Sequence, residues 1–148
     1  MKLNKDLREF IGLLNSTKVD YLIVGGHAVA FHGYPRFTGD IDFWVRRSIE
    51  NAERLDRVLR DFGFSNVGIK AADFLEPEAV IQLGRPPNRI DILTSIDGNV
   101  FEEAWESRIV ADFDGLSVAF IGKKDLIKNK KATGRPQDLA DIQKLEKA

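Results

Sequence analysis

The chain has 148 residues with 22 Lys and Arg against 23 Asp and Glu, so its formal net charge of −1 favours no particular class of partner. It contains no cysteine, which excludes a disulfide framework, a thiolate metal site and a cysteine nucleophile. The first ten residues mix charged and apolar side chains, and no apolar run approaches about 18 residues, so we expect neither a signal peptide nor a membrane span. We expect a single domain over residues 1–148 in a cytoplasmic protein.

The first half of the chain predicts two helices, two strands and a third, stronger helix. Apolar residues at helical spacing predict an amphipathic N-terminal helix, and "YLIVGG" predicts a buried strand that ends in a glycine pair. A short Ala-rich helix follows, and "DIDFWV" predicts a second strand. The clearest helix of the chain comes next, with Ser48 as its N-cap and Gly63 at its end.

The second half of the chain predicts a mixture of the same elements. "AVIQLG" and "RIDILT" predict strands separated by turn residues, and a short helix precedes a hairpin around Asp114–Gly115. Residues 122–148 predict two C-terminal helices separated by Gly134 and Pro136. Because helices and strands do not alternate regularly, we expect an α+β fold with a mixed β-sheet flanked by helices.

Three carboxylates occur in or beside apolar strands, where acids are costly. Asp40 and Asp42 alternate along one strand, so their side chains point the same way with Cα atoms about 7 Å apart. Repulsion should push one of them toward protonation unless a cation lies between them. If the strand of Asp91 lies beside theirs, the three acids form a site for one or two Mg²⁺ ions, which prefer hard oxygen ligands.

A structural role for the same acids is the alternative. Asp40 would then cap a strand end, Asp42 would pair with Arg46 or Arg89, and Asp91 would pair with another arginine. Three acids that each lie in an apolar strand favour the metal site over three separate ion pairs.

The glycine pair Gly25–Gly26 lies between a predicted strand and a predicted helix. Glycines there let backbone N–H groups approach a ligand, and a helix N-terminus favours phosphate. Arg36 and Thr38 precede the acids in a loop, which is either merely solvated or a source of phosphate donors.

The order of these motifs resembles the polymerase-β-like nucleotidyltransferase superfamily. The resemblance covers roughly residues 21–94: a glycine pair, the acids of "DID" on a strand, and a third acid between apolar residues. The stretches "HGYPRFTGDID" and "KATGRPQDLADI" resemble the small, minimal nucleotidyltransferases, several of which act in toxin–antitoxin or defence pairs. The resemblance implies the polymerase-β-like palm fold.

The resemblance also implies a reaction and a set of roles. An NMP group would pass from an NTP, with ATP as the expected nucleotide, to a hydroxyl of a small molecule, a protein or an RNA. Two Mg²⁺ ions would be held by Asp40, Asp42 and Asp91, and Asp91 would help to deprotonate the acceptor. The nucleotide would be bound by the glycine pair and by polar residues near it in the chain: Gly25, Gly26, His27, Arg36 and Thr38. Many members carry Ser or Thr where this chain has His27.

A basic cluster lies in the first of the two C-terminal helices and just after it. It consists of Lys123, Lys124, Lys128, Lys130, Lys131 and Arg135. In small nucleotidyltransferases a lysine after the sheet often meets the triphosphate, and Lys128 is our candidate. The alternatives are a solvated helix face and an RNA-binding patch, although few aromatic residues are interleaved for base stacking.

A second function class remains open, namely a non-catalytic or regulatory component of a toxin–antitoxin pair on the same fold. The three intact acids favour the enzyme. The short chain leaves little room for an acceptor-binding domain, so we expect a homodimer or a partner protein to complete that site.

Overall fold

A computed structural model describes residues 4–33, 39–63, 68–84 and 89–148 of the chain. The strands in these ranges are β1 (Tyr21–Val24), β2 (Ile41–Val45), β3 (Val80–Leu83), β4 (Ile90–Leu93), β5 (Ile109–Phe113) and β6 (Leu116–Phe120). The helices in these ranges are α1 (Lys5–Ser16), α2 (Gly25–Phe31), α3 (Ile49–Asp61), α4 (Phe101–Glu106), α5 (Lys123–Thr133) and α6 (Pro136–Lys147). A 3-10 helix at Ala71–Leu75, which the sequence pattern did not predict, precedes β3.

The described strands form one mixed six-stranded sheet in the order β3-β4-β2-β1-β6-β5. Strand β1 is antiparallel to β2 and parallel to β6, and β2 is parallel to β4. This arrangement confirms the predicted α+β fold with a mixed sheet and flanking helices. It also means that β1 ends at the end of the sheet where β2 and β4 begin.

Local sequence signals account for where helices α1 and α3 begin. Asn4 caps α1 by accepting a hydrogen bond from the Leu7 N–H at 2.8 Å, and Ser48 caps α3 as predicted, with 3.2 Å between its Oγ and the Asn51 nitrogen. The ring of Phe10 in α1 is fully buried and lies 5.5 Å from that of Phe43 in β2. The apolar face of α1 therefore covers the centre of the sheet.

The predicted hairpin is also present. Asp114 and Gly115 join β5 to β6 with φ angles of 52° and 86°, and two positive φ angles are typical of the tight turn that matches the twist of paired strands. No helix in the described ranges combines the length and the apolar character that a bilayer crossing requires.

Candidate active site

Three carboxylates meet at one end of the sheet. In the parallel pairing of β2 and β4, Asp42 lies directly opposite Asp91, and in the antiparallel pairing of β1 and β2 it lies opposite Val24. Asp40 directly precedes β2. The expectation that the strand of Asp91 lies beside that of Asp42 is thus confirmed, and we call Asp40, Asp42, Asp91 and the neighbouring Arg89 the carboxylate site.

Arg89 is the residue of this site that the sequence reasoning placed differently. Its Nε donates to Asp91 Oδ1 at 2.8 Å, and its Nη2 donates to Asp91 Oδ2 at 3.1 Å and to Asp40 Oδ2 at 2.9 Å. Arg46 instead pairs with Asp20 and Glu102. The arginine pairing considered as the alternative therefore exists, but it joins Arg89 to Asp40 and Asp91. The signal was available, because Arg89 lies two residues before Asp91 and so shares its side of the strand.

Asp42 is the acid of the site whose pKa is strongly shifted. Burial raises the pKa of its carboxyl to about 7, and the charge of Asp91, a hydrogen bond with Asp91 and the charge of Asp40 all act in the same direction. The positive charge of Arg89 opposes this shift without cancelling it. The described site thus holds three carboxylates and one arginine, and the raised pKa of Asp42 agrees with the expectation that one of the acids is pushed toward protonation.

Gly25 makes room for the Asp42 carboxylate. It is the first residue of α2 and has a φ of +70°, a conformation that glycine adopts without strain. A Cβ at this position would overlap Asp42 Oδ2 and lie 3.1 Å from Asp42 Cγ. The close approach of the carboxylate is a sufficient reason for this glycine, and the nucleotide contacts of Gly25 and Gly26 stay predictions.

His27 is a buried neighbour of the site. Burial lowers the pKa of its imidazole, although a hydrogen bond to the Asp40 backbone and the charge of Asp40 oppose the change. Its ring is therefore neutral at pH 7, and its Nδ1 is buried without a hydrogen-bond partner in the described part of the chain. This placement supports a role in holding the backbone of Asp40, whereas contact with a nucleotide stays a prediction.

The remaining predicted nucleotide-binding residues are not joined to the site by a described contact. Arg36 and Thr38 lie outside the described residues. Lys128 is exposed on α5, where its backbone carbonyl lies beside Gly98 in the loop that follows β4. Its role stays a prediction. The alternative of a solvated helix face does not hold for Lys130 of the same basic cluster. This lysine is buried and forms ion pairs with Asp138 and Asp141.

The donor set suits Mg²⁺, but its present arrangement is closed by Arg89. Carboxylate oxygens are the ligands that Mg²⁺ prefers, and the surplus negative charge calls for a cation. Among the residues that the structure describes, no group of three or more His, Cys, Asp or Glu side chains is arranged so that it could hold a metal ion. The guanidinium of Arg89 occupies a cation position between Asp40 and Asp91.

Comparisons with known proteins agree with this architecture. Residues 1–146 match a family described as nucleotidyltransferases of unknown function (DUF6036). No curated protein matches the sequence. Among solved structures, a "putative nucleotidyltransferase" from Thermotoga maritima is similar with a TM-score of 0.64 and 15% identity, over 93% of this chain and 88% of that chain. At that identity the likeness shows the fold alone, and it confirms the predicted nucleotidyltransferase fold.

Proposed function

The chain belongs to this nucleotidyltransferase family, and we propose that it transfers an NMP group from an NTP to a hydroxyl acceptor in an Mg²⁺-dependent reaction. The observation that carries the proposal is the meeting of three carboxylates at one end of the sheet, with Asp42 opposite Asp91 and Asp40 next to both. Burial, and after it the neighbouring Asp91 and Asp40, raise the pKa of the Asp42 carboxyl to about 7 against the opposing charge of Arg89. Strongly shifted carboxyls of this kind cluster at functional sites.

Asp40, Asp42 and Asp91 would hold the two Mg²⁺ ions that the resemblance implies. Bound there, the ions would supply charge neutralisation at the triphosphate and align the attacking and leaving oxygens. Gly25 leaves space for the Asp42 carboxylate, and His27 holds the backbone at Asp40. Arg89 orients Asp91 through two hydrogen bonds. These contacts fix the directions in which the carboxylates present their oxygens.

The proposed step is an in-line displacement at the α-phosphorus. The acceptor oxygen forms a bond to the α-phosphorus, and the bond to the oxygen that bridges the α- and β-phosphates breaks. Pyrophosphate leaves with that electron pair. The proton of the acceptor hydroxyl passes to Asp91, as the family resemblance implies, and then to water.

The first test is calorimetric titration of each NTP, with and without Mg²⁺, into wild type and Asp42→Asn. We expect Mg²⁺-dependent binding, tightest for ATP, that the variant weakens at least tenfold, since a metal-ligating carboxylate is lost. Asp20→Asn is the matched control, because Asp20 is an acid paired with Arg46 at the opposite end of the sheet. The control should bind like wild type.

Pyrophosphate release then separates catalysis from binding. Wild type incubated with ATP, Mg²⁺ and candidate acceptors should release pyrophosphate, and label from α-³²P but not γ-³²P ATP should enter the product. If no NTP binds in the presence of Mg²⁺, the catalytic proposal fails and the regulatory alternative on the same fold takes its place.

The acceptor and the partner form a second part of the proposal. In this part, a second copy of the chain or a partner protein completes the acceptor site. Light scattering during size-exclusion chromatography tests this directly. A strict monomer that turns over a small hydroxyl compound would contradict it.

A further inference from the structure

We propose that Arg89 is a positioning residue that exchanges partners when the carboxylate site binds a divalent cation. In this inference, which rests on the proposed function, Arg89 keeps Asp91 and releases Asp40. The same side chain therefore holds the acids together before the cation arrives and orients one of them afterwards.

The two contacts of Arg89 differ in strength. Asp91 accepts a two-pronged pair of hydrogen bonds from Nε and Nη2, at 2.8 and 3.1 Å, the arrangement in which arginine binds carboxylate most firmly. Asp40 accepts a single hydrogen bond of 2.9 Å from the Nη2 that Asp91 also uses. The side chain of Asp91 is 9% exposed and that of Asp40 is 36% exposed. The contact to Asp40 is therefore the weaker one and the one that water can replace.

The backbone of Arg89 is fixed while its side chain is not enclosed. The Ile41 N–H donates to the Arg89 carbonyl at 3.1 Å, which ties this residue to the start of β2. The Arg89 side chain is 28% exposed. A change of the Asp40 side-chain rotamer is enough to break the hydrogen bond from Nη2, while both hydrogen bonds to Asp91 remain and no strand has to move.

A divalent cation and the guanidinium compete for the same oxygens. Both are positive, and a cation held by Asp40 would compete for the Asp40 oxygen to which an Nη2 N–H now donates. Repulsion between them favours release of the weaker contact. Arg89 should accordingly lower the affinity of the site for a metal alone, while its hold on Asp91 supports the reaction.

This exchange predicts effects of opposite sign, which a purely structural arginine would not produce. In Arg89→Gln, binding of Mn²⁺ without nucleotide should tighten about tenfold, because a competing charge is gone. Pyrophosphate release at saturating metal should fall at least tenfold, because Asp91 loses its two-pronged hold. The free Mn²⁺ signal in electron paramagnetic resonance measures the first effect independently of activity.

Two further variants separate charge from geometry. Arg89→Lys keeps the positive charge but cannot form the two-pronged pair of hydrogen bonds to Asp91. Mn²⁺ affinity should therefore stay within about threefold of wild type while turnover falls. Arg46→Gln removes an arginine that also bridges two acids, at 2.9 Å from Asp20 and 3.3 Å from Glu102, at the other end of the sheet. It should leave Mn²⁺ affinity unchanged.

A measurement on the wild-type protein covers the case in which Arg89→Gln does not fold. The ¹⁵N-resolved signals of the arginine side chain should show that the Arg89 Nε–H stays protected when Mg²⁺ is added, while the Nη2 proton that faces Asp40 loses protection. Loss of protection at Nε, or no change at Nη2 under saturating Mg²⁺, would overturn the exchange.

The outcomes distinguish this inference from the proposed function. If wild type binds Mn²⁺ and NTP through Asp42 but Arg89→Gln binds Mn²⁺ no more tightly, the exchange is wrong and the nucleotidyltransferase proposal stands. If neither protein binds Mn²⁺, with or without NTP, both are wrong.

Discussion

The molecule contains two clusters of aspartates and basic residues that differ in how completely the charges are paired. The first is the carboxylate site, where Arg89 contacts two of three acids. The second, which we call the α5–α6 cluster, joins the end of α5 to α6 and consists of Lys130, Thr133, Arg135, Asp138 and Asp141. Both combine aspartates with basic side chains, so the comparison shows the effect of how completely the acids are paired.

In the α5–α6 cluster the described acids and bases balance. Asp138 accepts hydrogen bonds from Thr133 Oγ1 at 2.6 Å, from Arg135 Nε at 2.7 Å and from Lys130 Nζ at 3.3 Å. Lys130 Nζ also lies 3.0 Å from Asp141 Oδ2. Burial by itself would raise the pKa of Asp138, but the hydrogen bonds from Arg135, Thr133 and Lys130 outweigh it and hold that pKa well below its usual range.

The contrast indicates what each cluster is for. A buried acid whose bonding capacity is filled inside the protein has little left for a ligand, and its pairing fixes how two helices meet. An acid whose pKa is raised to about 7 by burial and by other acids retains the capacity to bind a cation. The charge balance of a cluster thus separates a structural role from a binding role.

The largest effect is expected from breaking the paired cluster. Asp138→Ala leaves buried Lys130 with one partner fewer and removes the acceptor of Thr133 and Arg135, so unfolding in urea should be easier by about 3–5 kcal/mol. Nucleotide binding by the folded fraction should change less than about twofold, because the carboxylate site is untouched.

Asp56→Asn is the control for this prediction. It breaks an ion pair with Arg60 whose arginine side chain is 69% exposed, and such pairs contribute only about 0–1 kcal/mol. Equal destabilisation by the two substitutions would show that the α5–α6 cluster is no more than a surface feature.

The second-largest loss of stability is expected from a substitution at Gly25, whose backbone lies against the carboxylate site. Gly25→Ala places a methyl group against the Asp42 carboxylate in a conformation with φ of +70°. We expect a loss of about 2–3 kcal/mol of stability and at least tenfold weaker Mg²⁺-dependent NTP binding by calorimetry, because Asp42 must move.

Gly12→Ala is the matched substitution in α1. A Cβ there meets nothing within 4 Å, and alanine is favoured over glycine inside a helix by about 0.5–1 kcal/mol. This variant should be more stable than wild type and bind NTP normally. If it behaved like Gly25→Ala, the contact with Asp42 would not be the cause.

The smallest effect is a gain in stability from Asp42→Asn, and it should depend on pH. The folded pKa of about 7 exceeds the unfolded value of about 4. The folded protein therefore keeps a proton that the unfolded chain loses, and wild-type stability falls as pH rises through this window. Asparagine has no proton to lose, so the variant's advantage should grow between pH 4 and 7 and then level off.

Thermal unfolding of both proteins at pH 5 and pH 8, without divalent cations, measures this difference. The partly solvated side chain limits the gain to about 1–2 kcal/mol at pH 8, or roughly 3–8 °C in Tm. Asp42→Asn should at the same time lose Mg²⁺-dependent NTP binding. An equal Tm difference at the two pH values would contradict a raised pKa at Asp42.

Elements with local signals could be predicted from the order of the residues. Ser48 caps α3, Asp114–Gly115 turns the β5–β6 hairpin, and Gly134 separates the last two helices. Caps, turns and periodicity depend on residues within a few positions of each other, so they can be interpreted without a partner strand. The proximity of Asp42 and Asp91 was predicted only on the condition that their strands were neighbours.

The contacts between distant parts of the chain could not be predicted in the same way. Arg89 bonds to Asp40, 49 positions earlier in the chain. The start of α2 leaves room for the Asp42 carboxylate only because Gly25 has no Cβ, and Lys130 is withdrawn from a basic helix face to pair with α6. Each contact depends on strand order, register or helix docking. The charge and type of each residue can be taken from the sequence. Which charges neutralise one another depends on the distances between side chains in the folded protein.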